Sequence, residues 1–230
     1  MENYFWIAGT DTNIGKTLVT TYLMRYFQSK GASVIPYKPI QTGIMIENST
    51  PYYEDTACYQ SFSKQPLVEN HINTYSFKEA ASPHYAAKLE GRDIKEEIIL
   101  QHIDQLKDSY DYVLCEGAGG LYVPLSDQRS FYLLDLIKQS QLPVILTAGT
   151  QLGTINHTLL SVEALKKNHI PIAGIVFNRF EGTNIEKDNI KTIQQHTNLP
   201  SLTLPKLESP SELTQIQIEN SEFFERIQKR

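Results

Sequence analysis

Short, nearly uninterrupted apolar runs alternate along this chain with longer segments whose apolar residues recur every three or four positions. The runs Tyr4–Ala8, Ser33–Tyr37, Tyr112–Cys115, Val144–Ala148, Ile172–Phe177 and the weaker Ser201–Leu204 read as strands. Val144–Ala148 and Ile172–Phe177 show little alternation, the pattern of parallel strands buried on both faces. Helical spacing covers Lys16–Gln28, Ser82–Leu89, Lys95–Lys107, Phe131–Gln139, Thr154–Lys167, Ile185–His196 and Ser211 to the C-terminus. Gly31 and Pro143 stand where a helix should stop and a strand should start. This succession predicts crossover connections and an α/β fold: one domain with a doubly wound, mostly parallel sheet flanked by helices. Residues 44–81 are polar, rich in Pro and Tyr, and weakly periodic. They predict an insertion carrying one short helix near Asp55–Phe62.

The first strand runs into Gly9-Thr10-Asp11-Thr12-Asn13-Ile14-Gly15-Lys16-Thr17, and a helix follows. Strand, glycine-bounded loop, Lys-Thr and helix form the context of a phosphate-binding loop, and so predict a P-loop NTPase-like domain. Backbone N–H groups from Asn13 to Leu18 would face the phosphates of a nucleotide. Lys16 would reach the β- and γ-phosphate oxygens, and the Thr17 hydroxyl would sit on Mg²⁺. The spacing departs from the usual form. Thr10 stands where the first glycine belongs, so Gly9 makes the loop one residue longer.

Ligands of open α/β sheets bind beyond the carboxyl ends of the strands, so the residues there are the next candidates. Lys38 ends the second predicted strand, Pro39 takes the chain out of it, and Thr42 follows in the turn. Lys38 would put a second positive charge beside a transferred phosphoryl group, and Thr42 would offer a hydroxyl to substrate. Glu116 ends a buried strand and precedes Gly117-Ala118-Gly119-Gly120. A carboxylate in that place is buried at a cost unless paired or functional, and Mg²⁺ takes one or two carboxylates besides phosphates and waters. In the insertion, Asp55 and Glu54 are equal candidates for a second carboxylate on charge alone. Gly149–His157 is another strand–loop–helix turn, and the helix start from Gly153 to Asn156 would seat a carboxylate. Asn178, ending a later strand, would offer an amide to a nucleobase edge.

Composition narrows the partners. Of 230 residues, 40% are hydrophobic and 20% charged, as in an ordinary globular protein, and the net charge is −5. That charge argues against a nucleic acid or an anionic membrane as partner. No apolar stretch approaches the about 18 residues of a membrane span, and Met1-Glu2-Asn3 does not open a signal peptide. Cys58 and Cys115 are too few for a disulfide framework, so a cytoplasmic setting is expected, with both thiols as small buried hydrophobes.

Together these segments resemble one family. Gly9–Thr17 is similar to the Gly-Thr-Asp-Thr-x-Val/Ile-Gly-Lys-Thr loop of dethiobiotin synthetases. Tyr37-Lys38-Pro39, Ser82-Pro83-His84, Glu116–Gly120, Pro124-Leu125, Leu152–His157 and Asn178 resemble that family's landmarks, in order, across residues 4–205. The resemblance implies ATP as co-substrate and Mg²⁺ as cofactor, the metal held by Thr17, Asp55 and Glu116. It resolves the tie with Glu54 in favour of Asp55. It also implies closure of 7,8-diaminopelargonate with CO₂ into a cyclic urea, with Lys16 and Lys38 as catalytic cations and Thr12 and Thr42 on the substrate. The substrate carboxylate would lie at the Gly153–Asn156 helix start of a second subunit, in a homodimer. One departure is Asn13, which stands where the family often has an acid and so is left out of the metal set.

Two other ATP-using classes share the loop style. Partition and septum-positioning ATPases carry a signature lysine five residues before the loop lysine, but that residue is Asp11 here. Amidoligases of the cobyric-acid kind carry a glutaminase domain, for which a length of 230 residues is expected to leave no room.

Overall fold

In this computed structural model, which describes residues 3–216 and 222–228, strand β1 (Tyr4–Gly9) runs through the middle of the main sheet. It is flanked by β6 (Tyr112–Gly120) and β7 (Val144–Ala148). Beyond β6 lie β2 (Val34–Thr42) and the edge strand β5 (Asn73–Phe77); beyond β7 lie β8 (Ile172–Phe180) and β9 (Ser201–Pro205). Each of these pairings is parallel. The strand order turns around at β1, which opens a crevice at the carboxyl ends of β1 and β6. A small antiparallel hairpin of β3 (Met45–Glu47) and β4 (Thr50–Tyr52) stands apart.

The period-two alternation of β1 sends its side chains into two cores. Trp6 and Ala8 enter one, Phe5 and Ile7 the other, all fully buried. On the Trp6 side lie α3 (Pro83–Leu89), α4 (Glu96–Ser109), α5 (Leu133–Ser140), α6 (Thr154–Lys167) and α7 (Asn184–Thr197). On the Phe5 side lie α1 (Lys16–Ser29) and the terminal α8 (Glu222–Gln228). Helix α2 (Glu54–Phe62) packs against α1 and β2 and inserts Tyr59 into the Trp6 core.

Five expectations need correction, the first being that Glu116 ends its strand: β6 runs on through the glycines to Gly120. Strand β2 does not end at Lys38 but continues through Pro39 to Thr42. Lys38 N–H donates to Ile72 O toward β5, so its neighbour Pro39 faces β6, whose recorded pairing with β2 has already ended at Tyr37↔Cys115. The missing N–H of Pro39 therefore breaks no ladder bond. The insertion is more than loop and short helix: its residues 73–77 are β5, with Ile40, Gln41 and Thr42 paired to Tyr75, Ser76 and Phe77. Its only strong apolar positions, Tyr75 and Phe77, alternate with Thr74 and Ser76, too short a signal against the polar flanks. Finally, the C-terminal helix expected from Ser211 onward is broken into a 3₁₀ turn at Pro210–Thr214 and α8, and its residues 217–221 and 229–230 lie outside the described residues. The helix expected at Phe131–Gln139 begins two residues later, at Leu133.

Helix α8 closes the Phe5 core through Phe224, whose ring stacks on Tyr26 with centroids 3.4 Å apart and has no exposed surface. Phe224→Ala is expected to cost about 3–5 kcal/mol in denaturant unfolding, as for other buried aromatic truncations. A loss below about 1 kcal/mol would mean that α8 is not part of the folding core.

Candidate functional site

The segment between β1 and α1 turns on two residues in the left-handed region, Asn13 at φ 56° and Gly15 at φ 91°. Asn enters that region more readily than most residues. Gly15 has no alternative: a Cβ there would lie 2.1 Å from Asn178 Nδ2. Asn178 Nδ2 donates to Ile14 O at 3.0 Å, so the amide expected to meet a base edge braces the loop from β8. The turn aims the N-terminus of α1 into a cleft of about 800 Å³.

Thr12, Asn13, Gly15, Lys16, Thr17 and Leu18 line this cleft together with Lys38, Thr42, Asp55, Glu116 and Asn178. Ile14 meets it only through the bond to Asn178. Lys38 is not a solvated surface lysine. Its side chain is 7% exposed, and its Nζ lies 2.7 Å from both Asp55 Oδ2 and Glu116 Oε1. The Thr17 hydroxyl, 2.5 Å from Asp55 Oδ1 and 3.0 Å from Glu116 Oε1, completes a knot of one ammonium, two carboxylates and a hydroxyl. Lys16 Nζ reaches back to Asp11 O at 3.1 Å.

Electrostatics separate the two lysines. Burial works to lower the Lys38 pKa, but Glu116 and Asp55 outweigh it and raise it above the usual lysine value. Lys16 has the opposite balance: burial and the charge of Lys38 lower its pKa to about 8, against a weaker pull from Glu116 and Asp55. Asp55 is lowered overall, because Lys38 and the Thr17 hydroxyl overcome the burial that would raise it. Lys38 is thus a permanent cation, whereas Lys16 begins to lose its proton near pH 8 unless an anion holds it.

The oxygens of Thr17, Asp55 and Glu116 converge as hard donors, and two carboxylates with a hydroxyl suit Mg²⁺, which fills its octahedron with phosphate and water. Among the described residues no cluster of three or more His, Cys, Asp or Glu is arranged to hold a metal alone. The donors present therefore fit a metal that arrives with phosphates.

Several further participants carry no sequence motif. Thr20 Oγ1 and Tyr59 Oη both donate to Glu116 Oε2, at 2.8 and 2.5 Å. Helical spacing would have found them, since Thr20 is four residues beyond Lys16 and Tyr59 four beyond Asp55. Thr56 Oγ1, 2.8 Å from Gln41 Oε1 and 3.1 Å from Asn73 Oδ1, ties α2 to the sheet, while Asn73 Nδ2 donates to Lys38 O at 3.1 Å. Leu207–Pro210 and Leu213, from a stretch without a motif, also line the cleft. Gly153 and Asn156 are exposed and do not line the cleft. Both cysteines are free; Cys115 is buried, whereas Cys58 is half-exposed at the cleft wall rather than a core residue.

Comparison with known proteins gives the family. The AAA domain family matches residues 3–214. An ATP-dependent dethiobiotin synthetase of Lysinibacillus sphaericus strain C3-41 is 53% identical over 224 residues, which cover 97% of this chain and 96% of that one. The chain belongs to the dethiobiotin synthetase family. A synthetase of Halalkalibacterium halodurans is 40% identical over 200 residues, covering 86% of this chain and 82% of the relative. Solved structures extend the likeness of fold only. The cell division ATPase MinD of Pyrococcus furiosus superposes with a TM-score of 0.58 at 16% identity, covering 100% and 99% of the two chains. Cobyrinic acid a,c-diamide synthase of Mycobacterium smegmatis, solved with ADP and magnesium, gives 0.54 at 12% identity, covering 91% and 89%.

The depressed pKa of Lys16 gives this synthetase-family site a pH signature. Phosphate favours the charged lysine, so nucleotide binding must recharge Lys16 wherever the free protein has lost that proton. Between about pH 7 and 8, above the titration of the terminal phosphate, the affinity for ADP should be nearly flat; above pH 8 it should fall toward about tenfold per pH unit, with uptake of about one proton on binding. Calorimetry in buffers of different ionisation enthalpy measures that uptake, and none at pH 9 (about one unit above the Lys16 value) would remove Lys16 from the phosphates.

Proposed function

We propose that this chain is an ATP-dependent ligase that closes 7,8-diaminopelargonate and CO₂ into dethiobiotin, releasing ADP and phosphate. The observation that carries the proposal is the convergence of Lys16, Lys38, Thr17, Asp55 and Glu116 at the mouth of a phosphate loop, in a chain 53% identical to a named dethiobiotin synthetase.

The chemistry asks for positioning and charge neutralisation more than for a protein nucleophile. One amine of the diamine takes up CO₂ as a carbamate. A carbamate oxygen attacks the γ-phosphorus of ATP, the bond to the bridging oxygen breaks, and ADP leaves. The second amine then attacks the carbonyl carbon of the carbamic–phosphoric anhydride, loses a proton and expels phosphate as the ring closes. In phosphoryl transfer the protein supplies alignment and electrostatic stabilisation. The backbone from Asn13 to Leu18 would hold the phosphates. Lys16 and Lys38 would neutralise charge on the γ-phosphoryl oxygens. Thr17, Asp55 and Glu116 would hold Mg²⁺, which screens the β- and γ-phosphates. Thr12 and Thr42 would orient the carbamate, and Asn178 would stand at the nucleotide side of the loop.

A homodimer would complete the site, with the substrate carboxylate at the Gly153–Asn156 start of α6 from the second copy. Support comes from the exposure of that segment and of the apolar residues around it, Leu152 at 93% and Leu160 at 62%. The small substrates fit the negative net charge of −5. The two free thiols fit a cytoplasmic setting, and no helix among the described residues is long and apolar enough to cross a membrane.

The direct test is phosphate release from MgATP by the purified protein. Release should require both 7,8-diaminopelargonate and bicarbonate and yield a product of cyclic-urea mass; release indifferent to the diamine would overturn the proposal. Lys38→Ala tests the residue roles. Turnover should drop more than tenfold, or about 1.4 kcal/mol, in a variant that still binds ADP. A smaller loss would take Lys38 out of the phosphoryl site.

A further inference from the structure

The two oxygens of Glu116 are used in different ways. Its side chain is wholly enclosed. Oε1 faces the cleft, where Lys38 Nζ stands at 2.7 Å and Thr17 Oγ1 at 3.0 Å. Oε2 points the other way, into the space between α1 and α2, and accepts from Tyr59 Oη at 2.5 Å and Thr20 Oγ1 at 2.8 Å. The two donors are unequal. The Thr20 hydroxyl has a single proton and a second acceptor, Lys16 O at 2.9 Å. Tyr59 is fully buried, and Glu116 is the one hydrogen-bond partner recorded for its hydroxyl among the described residues. The phenol therefore decides how Glu116 is turned.

We propose that Tyr59 is a positioning residue that fixes Glu116 as a one-oxygen metal acceptor and so makes the phosphate site select a small octahedral cation over a larger one. The inference rests on the assignment of Thr17, Asp55 and Glu116 to the metal. Mg²⁺ demands near-ideal octahedral geometry and takes few carboxylate oxygens. Ca²⁺ accepts six to eight ligands and readily takes both oxygens of one carboxylate. With Oε2 held by a buried hydroxyl, Glu116 has only Oε1 to give. Nothing about a tyrosine four residues beyond Asp55 follows from the phosphate loop itself. It is this chain's own means of orienting Glu116.

The test uses the whole protein with ADP and Mn²⁺, following enzyme-bound Mn²⁺ by electron paramagnetic resonance while Mg²⁺ or Ca²⁺ displaces it. The unaltered protein should require at least threefold more Ca²⁺ than Mg²⁺ for half displacement. Tyr59→Phe keeps the ring in the core and removes only the hydroxyl, and should shrink that ratio at least threefold. A loss of packing alone would weaken both cations together and leave the ratio in place. An unchanged ratio in a variant that still binds metal-free ADP overturns the proposal. Equal displacement by the two cations in the unaltered protein overturns it without recourse to any variant. Absence of bound Mn²⁺ in the presence of ADP would overturn the metal assignment as well, which separates the two failures.

Discussion

A buried carboxylate and a partly buried one facing a single ammonium are the constraint on which the rest of this structure depends. Asp55 and Glu116 both lie within 3.0 Å of the Thr17 hydroxyl, where two uncompensated negative charges would be strongly unfavourable. Lys38 meets both at 2.7 Å and offsets part of that charge, leaving the corner short of one positive unit before Lys16 is counted. A corner built this way is poised for a cation accompanied by anionic phosphates. The scaffold follows from that need. Strand β2 must run past Pro39 to aim Lys38, β5 must hold β2 and α2 through Asn73 and Thr56, and β6 must carry Glu116 alongside Ile7 of β1.

That dependence explains what could be read from the chain and what could not. The central strands were legible because burial on both faces makes them nearly continuous apolar runs, as in Val144–Ala148. The phosphate loop was legible because Gly15-Lys16-Thr17 follows a strand and opens a helix, so its chemistry is local. Strand β5 was not. It lies at the edge, it is short, and its polar residues Asn73, Thr74 and Ser76 serve contacts with β2, α2 and α4 that no local pattern encodes. Tyr59 and Thr20 escaped for a related reason. Each lies one helical turn from a recognised residue, but its partner Glu116 is 57 and 96 positions away.

The stretch after β9 shows the same limit from another side. Leu207–Pro210 and Leu213 carry no motif, yet they line the cleft because β9 delivers the chain there from the sheet edge. A segment that supplies only a surface can vary in sequence so long as its path is preserved, whereas Lys16 and Glu116 must supply charge at fixed points. Motif density along this chain therefore follows chemistry rather than proximity to the site.

Fold alone does not separate this chain from its rivals. A cell division ATPase and a cobyrinic acid a,c-diamide synthase share the architecture with TM-scores of 0.58 and 0.54, and one architecture hosts many functions. The distinction lies in which cations reach the phosphate loop and from where. In a partition-type ATPase a lysine in the loop itself supplies the extra charge, and here that position is Asp11. The second cation comes instead from β2, locked to α2 and β6 by two carboxylates. A charge fixed inside the subunit requires no partner to deliver it, as suits an active site whose chemistry must be ready whenever substrate arrives. A charge on the loop suits a device whose state is read by its neighbour. The position of the second lysine, more than the sheet that carries it, is what favours a ligase over a switch.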